Sequence, residues 1–159
     1  LLLADSYVRR EQVALVAFRG REAELVLPPT RSLVRARRVL SGMVGGGGTP
    51  LALGIMEGLR VALRVRSDEA SPRIVLLSDG RPNVDREGKG GRAQAREDAL
   101  AAGRRVAATG VPALVLDTSP RGEKFAHELA AAMGGRAAHL PRADARRVRA
   151  ALSSLDPAG

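Results

Sequence analysis

The stretch that decides the fold is Arg73-Ile74-Val75-Leu76-Leu77-Ser78-Asp79-Gly80, in which a run of apolar residues stops at a carboxylate and a glycine. An uninterrupted apolar run of this length is typical of a strand buried on both faces. Val111 to Leu116 repeats the pattern and stops at Asp117. Between the two runs, Ala93 to Thr109 has the composition of an Ala-rich helix, and Gly110 suits its C-terminal end. The order strand, helix, strand predicts a parallel sheet.

Upstream of this unit, two further apolar runs predict a pair of strands. Val13 to Phe18 again has the pattern of a strand buried on both faces. Ala23 to Leu27 is a shorter strand, and the few residues from Arg19 to Glu22 that separate the two suit a hairpin. We expect Pro28-Pro29 to end the second strand at a sheet edge, because proline has no N–H to donate.

A glycine run precedes the clearest helix start in the chain. Gly45 to Gly48 leads into Thr49-Pro50, which we expect to act as N-cap and first helical residue of a helix through Leu63. Other predicted elements are the end of a helix at Leu1 to Arg10, helices at Ser32 to Leu40, Glu123 to Met133 and Ala145 to Leu155, and a strand at Arg136 to Leu140. Together they predict an open α/β fold with a mostly parallel sheet and helices on both faces.

Length and composition fit one domain over residues 1–159. With 45% hydrophobic residues the chain can bury a continuous core. It has no cysteine, which excludes disulfides and thiolate metal sites, and its apolar runs fall far short of the roughly 20 residues that span a bilayer. We therefore expect a cytoplasmic protein. The first residues lack an initiator Met and any signal-peptide pattern, so we expect the chain to be cut from a longer one.

The charge balance favours an acidic partner. The net charge of +9 comes from 26 basic and 17 acidic residues. Nucleic acid is the usual partner of such a chain, but Tyr7, Phe18 and Phe125 are the only aromatic residues and are too scattered for base stacking. We therefore expect no nucleic-acid partner.

Polar residues at the ends of the predicted strands are the candidates for chemistry. In open α/β sheets ligands collect at the carboxyl ends of strands, which selects Thr49, Asp79 and Asp117. A hydroxyl after a glycine-rich loop and a carboxylate at a strand end are hard oxygen donors of the kind that Mg²⁺ prefers. The alternative is that Thr49 only caps its helix and that Asp79-Gly80 only makes a turn.

These residues match part of a known site. The chain resembles the von Willebrand factor A, or integrin I, family, whose metal-ion-dependent adhesion site uses an Asp-x-Ser-x-Ser loop, a Thr and an Asp. Gly48-Thr49-Pro50 is similar to the second loop, and Leu77-Ser78-Asp79-Gly80 is similar to the third. The resemblance implies Mg²⁺ bound by Thr49 and Asp79. It also implies that the first, central strand and its loop precede Leu1, so that the strands at Val13 and Ile74 flank a gap.

A narrower resemblance is to the D subunits of magnesium chelatases. It rests on Val13 to Gly20, Glu24 to Ser32, Gly45 to Leu51 and Ala138 to Pro141. It implies a complex that inserts Mg²⁺ into protoporphyrin IX on the way to chlorophyll or bacteriochlorophyll. The implied partners are an AAA+ I subunit that hydrolyses ATP and a porphyrin-binding H subunit. This domain would be non-catalytic and would dock a partner's carboxylate on its metal, with ATP bound only by other parts of the complex.

Several other patterns are set aside. Asp117-Thr118-Ser119-Pro120-Arg121 begins like the metal motif but has Arg121 where the second Ser belongs, so we interpret it as a capped turn. No phosphate-binding loop and no Gly-x-Ser-x-Gly elbow is present, which argues against an ATPase or a hydrolase. His127 and His139 lack zinc spacing.

Two alternatives stay open at this stage. The basic residues at 86, 89, 92 and 96 could hold an acidic linker or a porphyrin carboxylate, or they could form a mobile, solvated loop. The domain could also be the von Willebrand A module of a cobalt chelatase or of another metal-dependent interaction protein.

Overall fold

The computed structural model describes residues 12–42 and 48–140 of the chain. Five strands lie in this part: β1 (Val13–Arg19), β2 (Glu22–Thr30), β3 (Ile74–Ser78), β4 (Ala113–Asp117) and β5 (Arg136–His139). Four helices accompany them: α1 (Leu33–Gly42), α2 (Leu51–Val65), α3 (Arg92–Thr109) and α4 (Lys124–Ala132). The predicted elements at Leu1 to Arg10 and Ala145 to Leu155 lie outside the described residues.

The strands β1 and β2 form an antiparallel hairpin. Phe18 pairs with Ala23 and Arg19 with Glu22 across a turn at Gly20, which has a φ of 64°. The hairpin is confirmed, but the prediction that Pro28-Pro29 ends β2 is wrong, since β2 continues to Thr30. The two prolines lie where the register shifts, between the Leu15–Leu27 and Val13–Thr30 pairs. A strand can hold proline at such an irregularity, because no ladder hydrogen bond is required there.

The strands β3, β4 and β5 form a parallel sheet in that order. Their register places Ser78 beside Asp117, and Asp117 beside His139, at the carboxyl edge. The helix α3 connects β3 to β4, and Gly110 ends it in the left-handed conformation with a φ of 73°, as predicted. The parallel α/β arrangement predicted from the apolar runs is confirmed.

The main core lies between this parallel sheet and the helices α2, α3 and α4. Leu114 and Leu116 point to the opposite face of β4 and are also buried, as expected for a strand covered on both faces. The helix α2 contacts strands of both sheets, so it joins the hairpin to the rest of the domain. The largest fully buried side chains of the main core are Leu51, Ile55, Val106, Val115, Phe125, Leu129 and Met133.

The hairpin and the parallel sheet are separate sheets. Among the described residues no strand pairs with both β1 and β3, so the edges of these two strands are not joined to each other. The side chain of Leu77 in β3 is 56% exposed. The residues of β1 were expected to be buried on both faces, but Val13 to Phe18 are only half-buried. Within the described residues β1 and β3 are thus unconnected by a shared strand, and the gap between the strands at Val13 and Ile74 stays a prediction.

Candidate metal-binding site at the strand ends

The parallel register brings the polar strand ends to one edge of the sheet. Ser78 and Asp117 end neighbouring strands, and the N–H of Thr118 donates to the carbonyl oxygen of Ser78 at 2.9 Å. Asp79 follows Ser78 and is exposed, whereas the side chain of Asp117 is buried. The carboxylates of Asp79 and Asp117 both follow an apolar run in the sequence, but only the first is exposed to solvent.

Thr49 lies before α2 but does not cap it. The N-cap position is taken by Pro50, with no side-chain hydrogen bond, and the carbonyl oxygen of Pro50 accepts the N–H of Gly54 at 3.1 Å. The prediction that Thr49 is the N-cap is therefore wrong. Its hydroxyl is not used as a helix cap and remains a candidate oxygen donor.

One residue, Asn83, connects Thr49 to the loop that follows β3. The N–H of Thr49 donates to Oδ1 of Asn83 at 2.7 Å, and the N–H of Asn83 donates to the carbonyl oxygen of Thr49 at 3.4 Å. Since Asn83 follows Asp79 by four residues, these bonds bring the Thr49 loop and the Asp79 loop together. Asn83 was not predicted from the sequence, because nothing in the local pattern indicates a partner 34 residues away.

Gly48 allows the Thr49 loop to approach its neighbours closely. A Cβ at this position would lie 2.5 Å from the carbonyl oxygen of Gly20 and 2.6 Å from a methyl group of Val84. The carbonyl oxygen of Gly48 also accepts the N–H of Gly20 at 2.9 Å. Position 48 therefore has no room for a side chain, so only glycine fits there. The hydrogen bond to Gly20 also fastens the Thr49 loop to the hairpin turn.

The turn at Asp79 is held by its own side chains. Oδ1 of Asp79 accepts the N–H of Arg81 at 3.1 Å, and the hydroxyl of Ser78 accepts the N–H of Gly80 at 3.1 Å. Gly80 is buried with a φ of 71°, and a Cβ there would lie 2.9 Å from Cβ of Glu123. These contacts fix the direction of the Asp79 side chain while only one of its oxygens is engaged in a described hydrogen bond.

Asp117 supports the Asp79 turn indirectly. Its Oδ1 accepts the N–H of Ser119 at 2.9 Å, and its Oδ2 accepts the N–H of Glu123 at 2.6 Å. The carboxylate of Glu123 in turn pairs with the guanidinium of Arg81 at 3.0 Å. The interpretation of Asp117 to Arg121 as a capped turn is confirmed, and this turn braces the loop that carries Asp79.

The buried carboxylate of Asp117 is stabilised in its charged form. Burial alone raises the pKa of Asp117, but the hydrogen bonds from Ser119 and Glu123 and the nearby His139 outweigh it and hold the pKa below its ordinary value. Both oxygens are committed to backbone donors. Asp117 is therefore a structural acceptor rather than a cation ligand.

The oxygen donors on the Thr49 and Asp79 loops suit part of a hard-cation site. The hydroxyl of Thr49 and the carboxylate of Asp79 lie on two loops joined by Asn83, and both are oxygen donors of the type that Mg²⁺ takes. Over residues 12–42 and 48–140, no group of three or more His, Cys, Asp or Glu residues is placed to hold a metal. These two residues supply fewer than the roughly six oxygens of a magnesium shell, the remainder of which water and further ligands would complete.

The two histidines do not form a site. Nε2 of His139 lies 2.7 Å from the carbonyl oxygen of Ser119, at the end of β5. His127 is exposed on α4. Their separate settings agree with the absence of zinc spacing in the sequence.

The basic residues after Asp85 are mostly engaged in ion pairs. Arg86 pairs with the buried Asp98 at 3.2 Å, and Lys89 pairs with Glu87 at 2.7 Å. Burial alone raises the pKa of Asp98. The hydrogen bonds from Arg86 and Gln94 and the charge of Arg86 outweigh this effect and hold the pKa of Asp98 below its ordinary value.

Arg96 is engaged as well. It pairs with Glu128 at 3.0 Å, and its guanidinium carbon lies 4.3 Å from the ring centre of Phe125. Of the four basic residues proposed to hold an acidic group, Arg86, Lys89 and Arg96 therefore have acidic partners within the domain.

No helix in the described part of the chain is both long and apolar enough to cross a bilayer. The longest, α3, has 18 residues but is too polar.

Comparison with known proteins gives close relatives. The chain is 47% identical over 154 residues to the magnesium-chelatase 60 kDa subunit of Cereibacter sphaeroides, a match that covers 97% of this chain and 28% of that protein. It is 40% identical to the magnesium-chelatase 60 kDa subunit of Rhodobacter capsulatus, with the same coverage of both chains. The chain thus spans less than a third of the length of these relatives. No family model matches it.

A solved structure supports the fold. The crystal structure of the SpRpn10 VWA domain superposes with a TM-score of 0.65, covering 97% of this chain and 76% of that one. The sequence identity is 12%, so this likeness concerns the fold alone.

Proposed function

Since this chain belongs to the same family as the 60 kDa subunits of magnesium chelatase and has a von Willebrand factor A fold, we propose that it is the metal-dependent docking domain of a magnesium-chelatase D subunit. The complete complex is an ATP-dependent ligase that forms metal–nitrogen bonds, inserting Mg²⁺ into protoporphyrin IX in chlorophyll or bacteriochlorophyll biosynthesis. The domain itself is non-catalytic in this proposal. Its partners are the AAA+ I subunit and the porphyrin-binding H subunit.

The observation that carries the proposal is the link between the Thr49 and Asp79 loops. Asn83 holds the two candidate ligands on neighbouring loops at the carboxyl edge of the sheet, where α/β proteins bind their ligands. The hydroxyl of Thr49 is not consumed by the helix cap, and the carboxylate of Asp79 is exposed. Both features suit a surface site better than a purely structural turn.

A bound Mg²⁺ would supply a positive centre with coordination positions open to a partner. Thr49 and Asp79 would hold the ion at the surface, and the braced turn at Gly80 would keep the Asp79 carboxylate directed toward it. A carboxylate from the partner would fill an open position, so that docking requires both the metal and an acidic group. The net charge of +9 would raise the rate at which an acidic partner associates.

Capture of the I subunit tests this proposal. The complete D subunit, immobilised, is expected to retain the I subunit in Mg²⁺ and to release it in EDTA. Asp79→Ala is expected to abolish the Mg²⁺-dependent part of the capture, because it removes the carboxylate of the pair Thr49 and Asp79. Asp68→Ala, a carboxylate outside the candidate site, is the matched control and is expected to capture normally. Capture that ignores both EDTA and Asp79→Ala would contradict metal-dependent docking.

A further inference from the structure

Asn83 stands at the junction of the two loops that carry the candidate cation ligands. We infer that Asn83 is a positioning residue for this site: it sets the separation of the Thr49 hydroxyl and the Asp79 carboxylate without contacting the cation itself. The inference rests on the proposed function, since it concerns the same site. The inference adds a residue to Thr49 and Asp79, the two residues from which the site was predicted.

The bonds between Asn83 and Thr49 are the described connection between the two loops. One is the 2.7 Å bond from the N–H of Thr49 to the side-chain oxygen, and the other is the 3.4 Å bond between the backbones. Pro50 has no N–H, so the amide of Thr49 is the last donor before α2 begins. Its orientation fixes the peptide from which the Thr49 side chain projects.

Asn83 can act as an anchor because its own loop is closed. The N–H of Gly91 donates to the carbonyl oxygen of Asn83 at 3.1 Å, and Val84 pairs with Gly90 in an isolated bridge. We call residues 83–91 the anchor turn. Inside it, Oδ1 of Asp85 accepts the N–H groups of Glu87 and Lys89, both at 2.9 Å. The turn is therefore held by its own hydrogen bonds, independently of Thr49.

The anchor turn is also fastened to the domain. The carboxylate of Asp98, on α3, accepts the N–H of Arg86 at 3.0 Å and the side-chain amide of Gln94 at 2.9 Å. Asp98 is only 5% exposed. The side chain of Asn83 projects from this ordered turn and can therefore hold the Thr49 loop in place. Residues that hydrogen-bond to metal ligands orient those ligands in the same way.

The proposed role of Asn83 requires a hydrogen-bond acceptor held in a fixed place at position 83. Substitutions that remove or keep this acceptor therefore test the role. Asn83→Ala removes the acceptor for the Thr49 amide. Asn83→Asp keeps an oxygen in the same place with nearly the same shape. Gln94→Ala removes an amide that donates to Asp98, the carboxylate that fastens the anchor turn to α3, so it reports what loosening of the turn alone does.

The experiment measures binding of Mn²⁺, as a stand-in for Mg²⁺, to the complete D subunit by electron paramagnetic resonance, and hydrogen exchange at the Thr49 amide by mass spectrometry. Asn83→Ala is expected to raise the Kd for Mn²⁺ about tenfold, the usual effect of losing a partner that orients a metal ligand, and to speed exchange at Thr49. Asn83→Asp is expected to restore slow exchange and to bind Mn²⁺ at least as tightly as the natural protein. Gln94→Ala is expected to match the natural protein in both readouts.

The variant Asp79→Ala distinguishes failure of the metal site from failure of the positioning role of Asn83. If Asp79→Ala loses Mn²⁺ binding but Asn83→Ala keeps the natural Kd, the role of Asn83 is overturned while the metal site stands. Equal weakening by Gln94→Ala and Asn83→Ala would also overturn it, since the anchor turn and not the acceptor would then be responsible. If Asp79→Ala binds Mn²⁺ like the natural protein, the metal site fails and the role of Asn83 fails with it.

Discussion

The strands β1 and β4 have similar apolar sequences but different surroundings. Every residue of β4 is buried, whereas Val13 to Phe18 of β1 are half-buried. The strand β4 pairs on both sides, with β3 and with β5, while β1 pairs with β2 alone among the described strands. The difference shows that hydrophobicity predicts a strand, but that neighbouring strands and covering helices decide how deeply it is buried.

The largest expected effect is a difference in stability between matched substitutions in the two strands. Leu116 in β4 is 1% exposed, and Leu15 in β1 is half-buried. Leu116→Ala is expected to lower the free energy of unfolding by about 3 kcal/mol, and Leu15→Ala by about 1 kcal/mol, because the cost grows with the cavity left behind. Urea denaturation of the 159-residue chain measures both. Equal losses would mean that β1 is as deeply buried as β4 in this chain and would remove the distinction.

A smaller effect is expected where α2 meets the hairpin. A Cβ added at Gly54 would run into the ring of Phe18, whereas a Cβ at Gly58, one turn later, would meet nothing within 4 Å. Gly54→Ala is expected to destabilise the protein by about 2 kcal/mol through overpacking. Gly58→Ala, the matched control, is expected to stabilise it by up to about 1 kcal/mol, since alanine is the better helix former. The difference in thermal midpoint between the two variants checks this, and similar shifts in both would show that α2 does not pack closely on β1.

The smallest of the expected effects is the loss of stability in acid through Asp117, at the carboxyl edge of the parallel sheet. The pKa of Asp117 is lower in the folded protein than its ordinary value of 3.8, so the unfolded chain binds the proton first as the pH falls. The stabilisation by Asp117 is therefore complete above this value and is lost at lower pH. Asp117→Asn is expected to cost about 1 kcal/mol at pH 7, because the amide keeps one acceptor oxygen for the N–H groups of Ser119 and Glu123 but loses the charge that strengthens both bonds.

Unfolding free energies measured from about pH 7 down to about pH 2 check this prediction. The difference between the natural protein and Asp117→Asn should stay constant down to about pH 4 and shrink below it. A difference that stays constant over the whole range would show that the charge of Asp117 contributes nothing.

Much of the fold followed from the sequence because its strongest signals are local. The apolar runs that end at Asp79 and Asp117, and the glycine that ends α3, depend on neighbours in the chain, and the structure has them as expected. The gap between β1 and β3 was inferred from the resemblance to a known family rather than from residue patterns.

The errors arose where a distant partner competes with a local pattern. Thr49-Pro50 has the sequence of a helix start, but the amide of Thr49 bonds to Asn83, and Pro50 takes the cap position instead. Asn83 and Glu123 could not be found from the sequence, because each acts on a loop more than 30 residues away. The assignment of Thr49 and Asp79 as metal ligands stays a prediction.

The most direct test of the account is to locate the bound metal in the complete protein. Fe²⁺ in place of Mg²⁺, with ascorbate and peroxide, cleaves the backbone next to the ion, and mass spectrometry maps the cuts. The account predicts cuts near Thr49 and near Asp79, competed away by Mg²⁺, with none near Gly110 at the opposite edge of the sheet. Absence of Mg²⁺-competed cuts from both loops, or cleavage at only one of them, would contradict a site shared between them.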